Sequence, residues 1–158
     1  MIESLLLTAT RVITFQQQRQ LTNASGFFFE RDRRLFLVTS RHVMLDEPSR
    51  HQPDRLEIEL HLDPENMVQS TAFSIPLYGD GKRLWRQGTD SAGGIDAAVI
   101  EIERAALPET VVYRAFTPEH LYGAQDQIEV GTRDLERDEA LGLNCAWYAD
   151  ILLTLTER

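Results

Sequence analysis

A chain of 158 residues and 18.1 kDa has room for one ordinary domain and a short appendage. Hydrophobic residues at 42% beside 26% charged ones supply a core and exclude a disordered chain. Twenty-five acidic side chains against sixteen basic ones leave a formal charge of −9, which repels phosphate backbones and argues against nucleic acid as a partner.

The amino terminus, MIESLLLTATRVITF, has no basic leading segment, and its longest apolar run, Leu5 to Leu7, is too short for a signal core or a membrane span. Thr8 to Gln16 alternates and is rich in β-branched residues, so a first strand is expected there. The stretch Ser25 to Val43, SGFFFERDRRLFLVTSRHV, then reads as a hairpin. Gly26-Phe27-Phe28-Phe29 favours extended structure, Arg31 to Arg34 turns, and Leu35 to Thr39 returns as a near-continuous apolar strand. His42 follows that strand directly. A histidine there can have its ring fixed by packing while one edge reaches solvent, as a general base requires, or it can be an ordinary satisfied side chain at a strand end.

After Asp46-Glu47-Pro48 the run Leu56 to Leu62 alternates apolar with polar, the pattern of a strand with one buried face. Val68 to Leu77 reads as the next strand, and the glycine-rich span Tyr78 to Gly94 as a loop anchored by Trp85. Asp96 to Ile102 is apolar enough to be covered on both faces, and Leu107 to Phe116 returns as an extended segment. From Asp134 helix formers dominate. Leu141, Cys145, Tyr148, Leu152 and Leu155 recur at spacings of three and four, predicting a terminal amphipathic helix that could cover the open side of a barrel. Six strands joined by turns predict a small antiparallel barrel, closed or nearly so.

Two phrases, Leu37-Val38-Thr39-Ser40-Arg41-His42-Val43 and, with its aspartate 54 residues beyond His42, Ile95-Asp96-Ala97-Ala98-Val99-Ile100, together resemble the trypsin-like serine peptidases. The resemblance covers residues 8 to 133 and implies an amino-terminal β-barrel, residues 1–133, followed by a helical tail, residues 134–158, that is not family-like. It also implies that His42 is the general base and Asp96 the aspartate that orients its ring. The family's serine, set in a Gly-x-Ser-Gly turn that also forms the oxyanion hole, has no counterpart: no serine follows Ser91. The resemblance therefore implies a relative of serine endopeptidases without hydrolytic activity of its own. The alternative is a non-catalytic binding or assembly module on the same barrel.

Cys145 is the one later nucleophile by residue type, but Leu143-Asn144-Cys145-Ala146-Trp147 lacks turn-forming glycines and reads as structural. As a lone cysteine it can form no intramolecular disulfide, which fits a reducing compartment, and a cytoplasmic location is expected. His42, His51, His61 and His120 lack zinc-type spacing, so neither metal nor cofactor is expected. Expected partners are a peptide or protein ligand, or a second copy of the chain, and not a membrane.

Overall fold

Alternation along the strands sorts the apolar side chains onto two faces, and each face carries a separate core. The computed structural model describes residues 6–90, 93–120 and 151–157. Its main body is one antiparallel sheet of seven strands in the order β5-β4-β1-β2-β3-β9-β8. These are β1 (Ala9–Gln16), β2 (Arg19–Arg31), β3 (Arg34–Thr39), β4 (Arg55–His61), β5 (Ser70–Pro76), β8 (Trp85–Asp90) and β9 (Gly93–Ile102). A small hairpin, β6 (Tyr78–Gly79) with β7 (Lys82–Arg83), stands apart from the sheet. One helical turn, α1 (Arg41–Met44), follows β3. Among the described residues no helix is long and apolar enough to cross a membrane.

The larger core takes Val12 from β1, Phe28 from β2, Leu35 and Leu37 from β3, and Leu56, Ile58 and Leu60 from β4. Ile75 from β5, Trp85 from β8, Ala98, Ile100 and Ile102 from β9, and Val43, Met44 and Leu77 from the connections complete it. Both edge strands thus feed one core, so the sheet is strongly curled. It does not close into the barrel expected from the sequence: among the described residues no ladder joins β5 to β8. Pro76 ends β5 without an N–H to donate, and the β6–β7 hairpin then interrupts the path to β8, its neck closed by Leu84 N–H donating to the Leu77 carbonyl at 3.0 Å. The remaining seam is a cleft of about 480 Å³ between Phe73–Pro76 and Ile100–Glu103.

The loop expected over Tyr78 to Gly94 is another point of difference, because it contains β6, β7 and β8. Trp85 pairs with Ile100 and Gln87 with Ala98, a ladder that glycine content alone conceals. Leu107 to Phe116, expected as a further extended segment, joins the sheet only through isolated bridges, Phe29 to Phe116 and His61 to Val112.

The second core lies on the other face of β2, β3 and β9, where Phe29, Phe36, Val38, Ile95, Ala97 and Val99 meet Ile151, Leu152 and Leu155. The last three belong to a terminal helical turn, residues 151–155, which covers this face. Leu141, Cys145 and Tyr148, expected on the same helix, lie outside the described residues. The end of the turn is held by two arginines. Arg31 donates to the Leu153 carbonyl and to Thr156 Oγ1, and Arg86 to the carbonyls of Leu155 at 3.2 Å and Glu157 at 2.9 Å. Cations at a helix C-terminus satisfy carbonyls that have no intrahelical partner and complement the helix dipole.

Gly26 is needed where β2 crosses β3. A Cβ there would stand 2.8 Å from the Val38 carbonyl oxygen and 3.0 Å from a Leu37 methyl, and backbone cannot yield as a flexible side chain can. Gly26→Ala is therefore expected to lower unfolding free energy by about 1–3 kcal/mol, the usual range for overpacking a core, as measured by urea denaturation.

Candidate active site

β3 is buried along almost its whole length and delivers the chain to α1 in a fixed place. Thr39 closes the strand by donating its hydroxyl to the Ser25 carbonyl at 2.9 Å. Ser40 is the N-cap, and α1 is one turn long, with Val43 N–H donating to the Ser40 carbonyl and Leu45 N–H to the Arg41 carbonyl. Val43 and Met44 are buried and act as the anchor, which leaves Arg41 and His42 on the outer side.

Asp96 arrives from β9. Its neighbours Ile95 and Ala97 point into the second core, so the pleat turns Asp96 to the opposite face, that of Ala98, Ile100 and Ile102. The β8–β9 ladder is irregular at this point: Gln87 pairs with Ala98 and Thr89 with Gly94, leaving Ile95, Asp96 and Ala97 all opposite Gly88. A bulge bends a strand and re-aims a side chain, and this one sits under Asp96.

The two residues meet. His42 Nδ1 lies 2.8 Å from Asp96 Oδ2, and the His42 backbone N–H donates to Asp96 Oδ1 at 3.0 Å. An ionised carboxylate can only accept, so Nδ1 carries the proton and Nε2 of the neutral ring keeps its lone pair, the state from which an imidazole acts as a base. Partial burial pushes the Asp96 carboxyl up. The His42 amide, the His42 ring and its charge, and the Arg41 amide outweigh that and hold it below its ordinary 3.8. The pair is open to water, with side-chain exposures of 60% for His42 and 56% for Asp96. Solvent therefore screens the pair.

Two residues that the sequence reading did not single out support the pair. Arg41 Nε donates to Gln87 Oε1 at 3.1 Å, tying the first residue of α1 to β8. The Gln87 amide occupies the place where a Cβ on residue 94 would stand, so Gly94 makes the room that Gln87 needs. Arg41 could have been noticed as the residue beside His42, whereas Gln87 lay in the stretch read as loop.

The other histidines are dispersed. His51 bonds the Val43 carbonyl at 2.9 Å, His61 the Met67 carbonyl at 3.2 Å, and His120 the amide and hydroxyl of Thr117 at 3.0 Å. Among the described residues no three His, Cys, Asp or Glu side chains are grouped to hold a metal ion. Comparison of the chain with family models, curated proteins and solved structures finds no match.

The sign of the pH dependence follows from the lowered carboxyl. The stability Asp96 contributes is fully present above pH 3.8 and is lost as pH falls through its lower folded value. Asp96→Asn should be less stable than the parent by on the order of 1 kcal/mol or less near neutral pH, as befits an exposed pair. The two proteins should converge in acid below the folded value, and urea denaturation across the acid range checks this.

Proposed function

We propose that this chain is related to the trypsin-like serine endopeptidases, keeps the histidine and aspartate of their catalytic machinery, and does not hydrolyse peptides by itself. The observation that carries the reading is the two-point contact between Asp96 and His42, ring and backbone amide together, at the end of a β3–β9 ladder. In a working site of this kind the histidine takes a proton from serine and returns it to the leaving group, while the aspartate fixes the tautomer and stabilises the charged ring. His42 would be that base and Asp96 its positioning partner.

The step needs an attacking oxygen and donors for the developing oxyanion, and the sequence offers no Gly-x-Ser-Gly turn. Ser49 is the serine that shares a cleft with His42, but its hydroxyl donates to Asp46 Oδ2 at 2.5 Å and so is engaged elsewhere. The open, solvated pair also lacks the water-excluding surroundings that give such groups their catalytic effect. These absences favour a second reading, a non-catalytic protein-binding module on the same sheet. Incubation with a fluorophosphonate probe tests the activity statement. No labelling above background is expected, for the parent and for His42→Ala alike, and stoichiometric labelling that His42→Ala abolishes would overturn it.

A further inference from the structure

Beside His42 the β1–β2 hairpin and the segment between α1 and β4 enclose a cleft of about 580 Å³, and its charge is opposite to that of the chain as a whole. Arg19 and Arg50 both line it, as do His42, His51 and Asp46. Among the described residues neither guanidinium has a side-chain hydrogen bond or ion pair. Asp46, the carboxylate of the lining, is already engaged by the Ser49 hydroxyl. Accepting from a neutral hydroxyl leaves Asp46 its charge, so two arginines against one carboxylate give the lining one net positive charge on a molecule of net charge −9.

Both arginines are carried on turns held in place. The segment bearing Arg50 is closed by Asp46 N–H donating to the His51 carbonyl and His51 N–H to the Asp46 carbonyl, at 3.0 and 2.9 Å. His51 is fixed further by its ring on the Val43 carbonyl. Arg50 itself adopts a left-handed backbone, φ 59°, and donates its N–H to the Glu47 carbonyl, a conformation that a non-glycine residue holds only when its surroundings impose it. Arg19 sits at the foot of β2, paired with Gln16, and the turn before it is pinned by Gln17 N–H donating to Asp54 Oδ2 at 2.6 Å. With the backbone that carries them held in place, only the two side chains lose freedom when a ligand arrives.

The shape of the cleft calls for an extended ligand. Along Leu21 to Ala24 strand β2 pairs with β1 on one side, whereas its ladder with β3 begins only at Phe27, so this part of β2 presents a strand edge to the cleft. An extended peptide can add to such an edge through main-chain bonds while its side chains reach the flanking pockets.

We infer that this cleft binds an acidic segment of an extended peptide or protein partner, with Arg19 and Arg50 receiving its carboxylates. The inference deepens the binding-module reading and requires no hydrolysis. Nucleic acid is the disfavoured polyanion, because the rest of the chain repels it. The test is fluorescence anisotropy of the full chain with a labelled Glu-Val-Glu-Val-Glu peptide and its Gln-Val-Gln-Val-Gln counterpart. The acidic peptide should bind saturably and the neutral one about two- to thirtyfold more weakly, the expectation for two exposed ion pairs. Arg19→Glu with Arg50→Glu should abolish that preference and shift it to Lys-Val-Lys-Val-Lys. An unchanged amide spectrum would show the variant folded, and Arg19→Gln with Arg50→Gln serves should charge reversal unfold it. Equal affinity for acidic and neutral peptides, or a preference that survives both variants, would overturn the inference. So would competition by succinate or inorganic phosphate as effective as the peptide, which marks a small-anion site, or tighter binding of an oligothymidylate. Lack of peptide binding together with an unreactive fluorophosphonate probe would remove this inference and leave the peptidase relationship standing.

Discussion

The register of β3 against β9 is the constraint on which the rest depends. Thr39 pairs with Ala98 at the end of that ladder, so the chain leaving β3 passes beside the residues that precede Ala98 on β9. His42 comes three residues after Thr39 and Asp96 two before Ala98. A slip of β9 by one residue would send Asp96 to the opposite face and exchange that strand's contributions to the two cores. Burial on both faces makes that slip costly. Leu35 and Leu37 belong to one core and Phe36 and Val38 to the other, as Ala98 and Ile100 stand against Ala97 and Val99. A reversed strand would stay buried but put the wrong volumes into each core, and overpacking costs about 1–3 kcal/mol at a misfitting site.

This dependence explains what could be read in the sequence. The phrases around His42 and Asp96 are near-continuous apolar runs, a pattern that marks strands covered on both sides, and their ends are where polar residues appear. The alternation of Leu56, Ile58 and Leu60 was equally legible, and those three residues are buried in β4. What stayed hidden depends on partners distant in sequence. Trp85 to Asp90 has neither clean alternation nor a long apolar run, and it is a strand because β9 offers it an edge. The bulge beneath Asp96 is likewise a property of the pairing. The missing closure of the sheet follows from an inserted hairpin and from Pro76, both visible as residues but not as an interrupted ladder.

The site joins good local geometry to a weak electrostatic setting. Hydrogen bonds to both carboxylate oxygens fix Asp96, and one ring nitrogen of His42 is thereby assigned as donor. Water nevertheless reaches more than half of each side chain, and in high dielectric a hydrogen bond to a carboxylate at 2.8 Å is worth far less than the same bond in a closed cleft. Orientation without desolvation is enough to position a base or to hold a binding surface in shape. It is not enough to lower the barrier of a reaction whose charge must be stabilised away from water.

The terminal turn extends this logic across the sheet. Gly88 has no side chain, and Ile151 fills the space, its Cγ2 2.9 Å from where a Cβ would stand. The same point lies 3.5 Å from the Ala97 carbonyl and 3.5 Å from Ile95, the two residues that flank Asp96. Ile151 thus packs behind the bulge that turns Asp96 toward His42, while Arg31 and Arg86 hold the far end of the turn to β2 and β8. Covering the apolar outer face and backing the bulge are two results of one packing arrangement. The residues that keep the second core dry therefore also fix the backbone from which the aspartate projects.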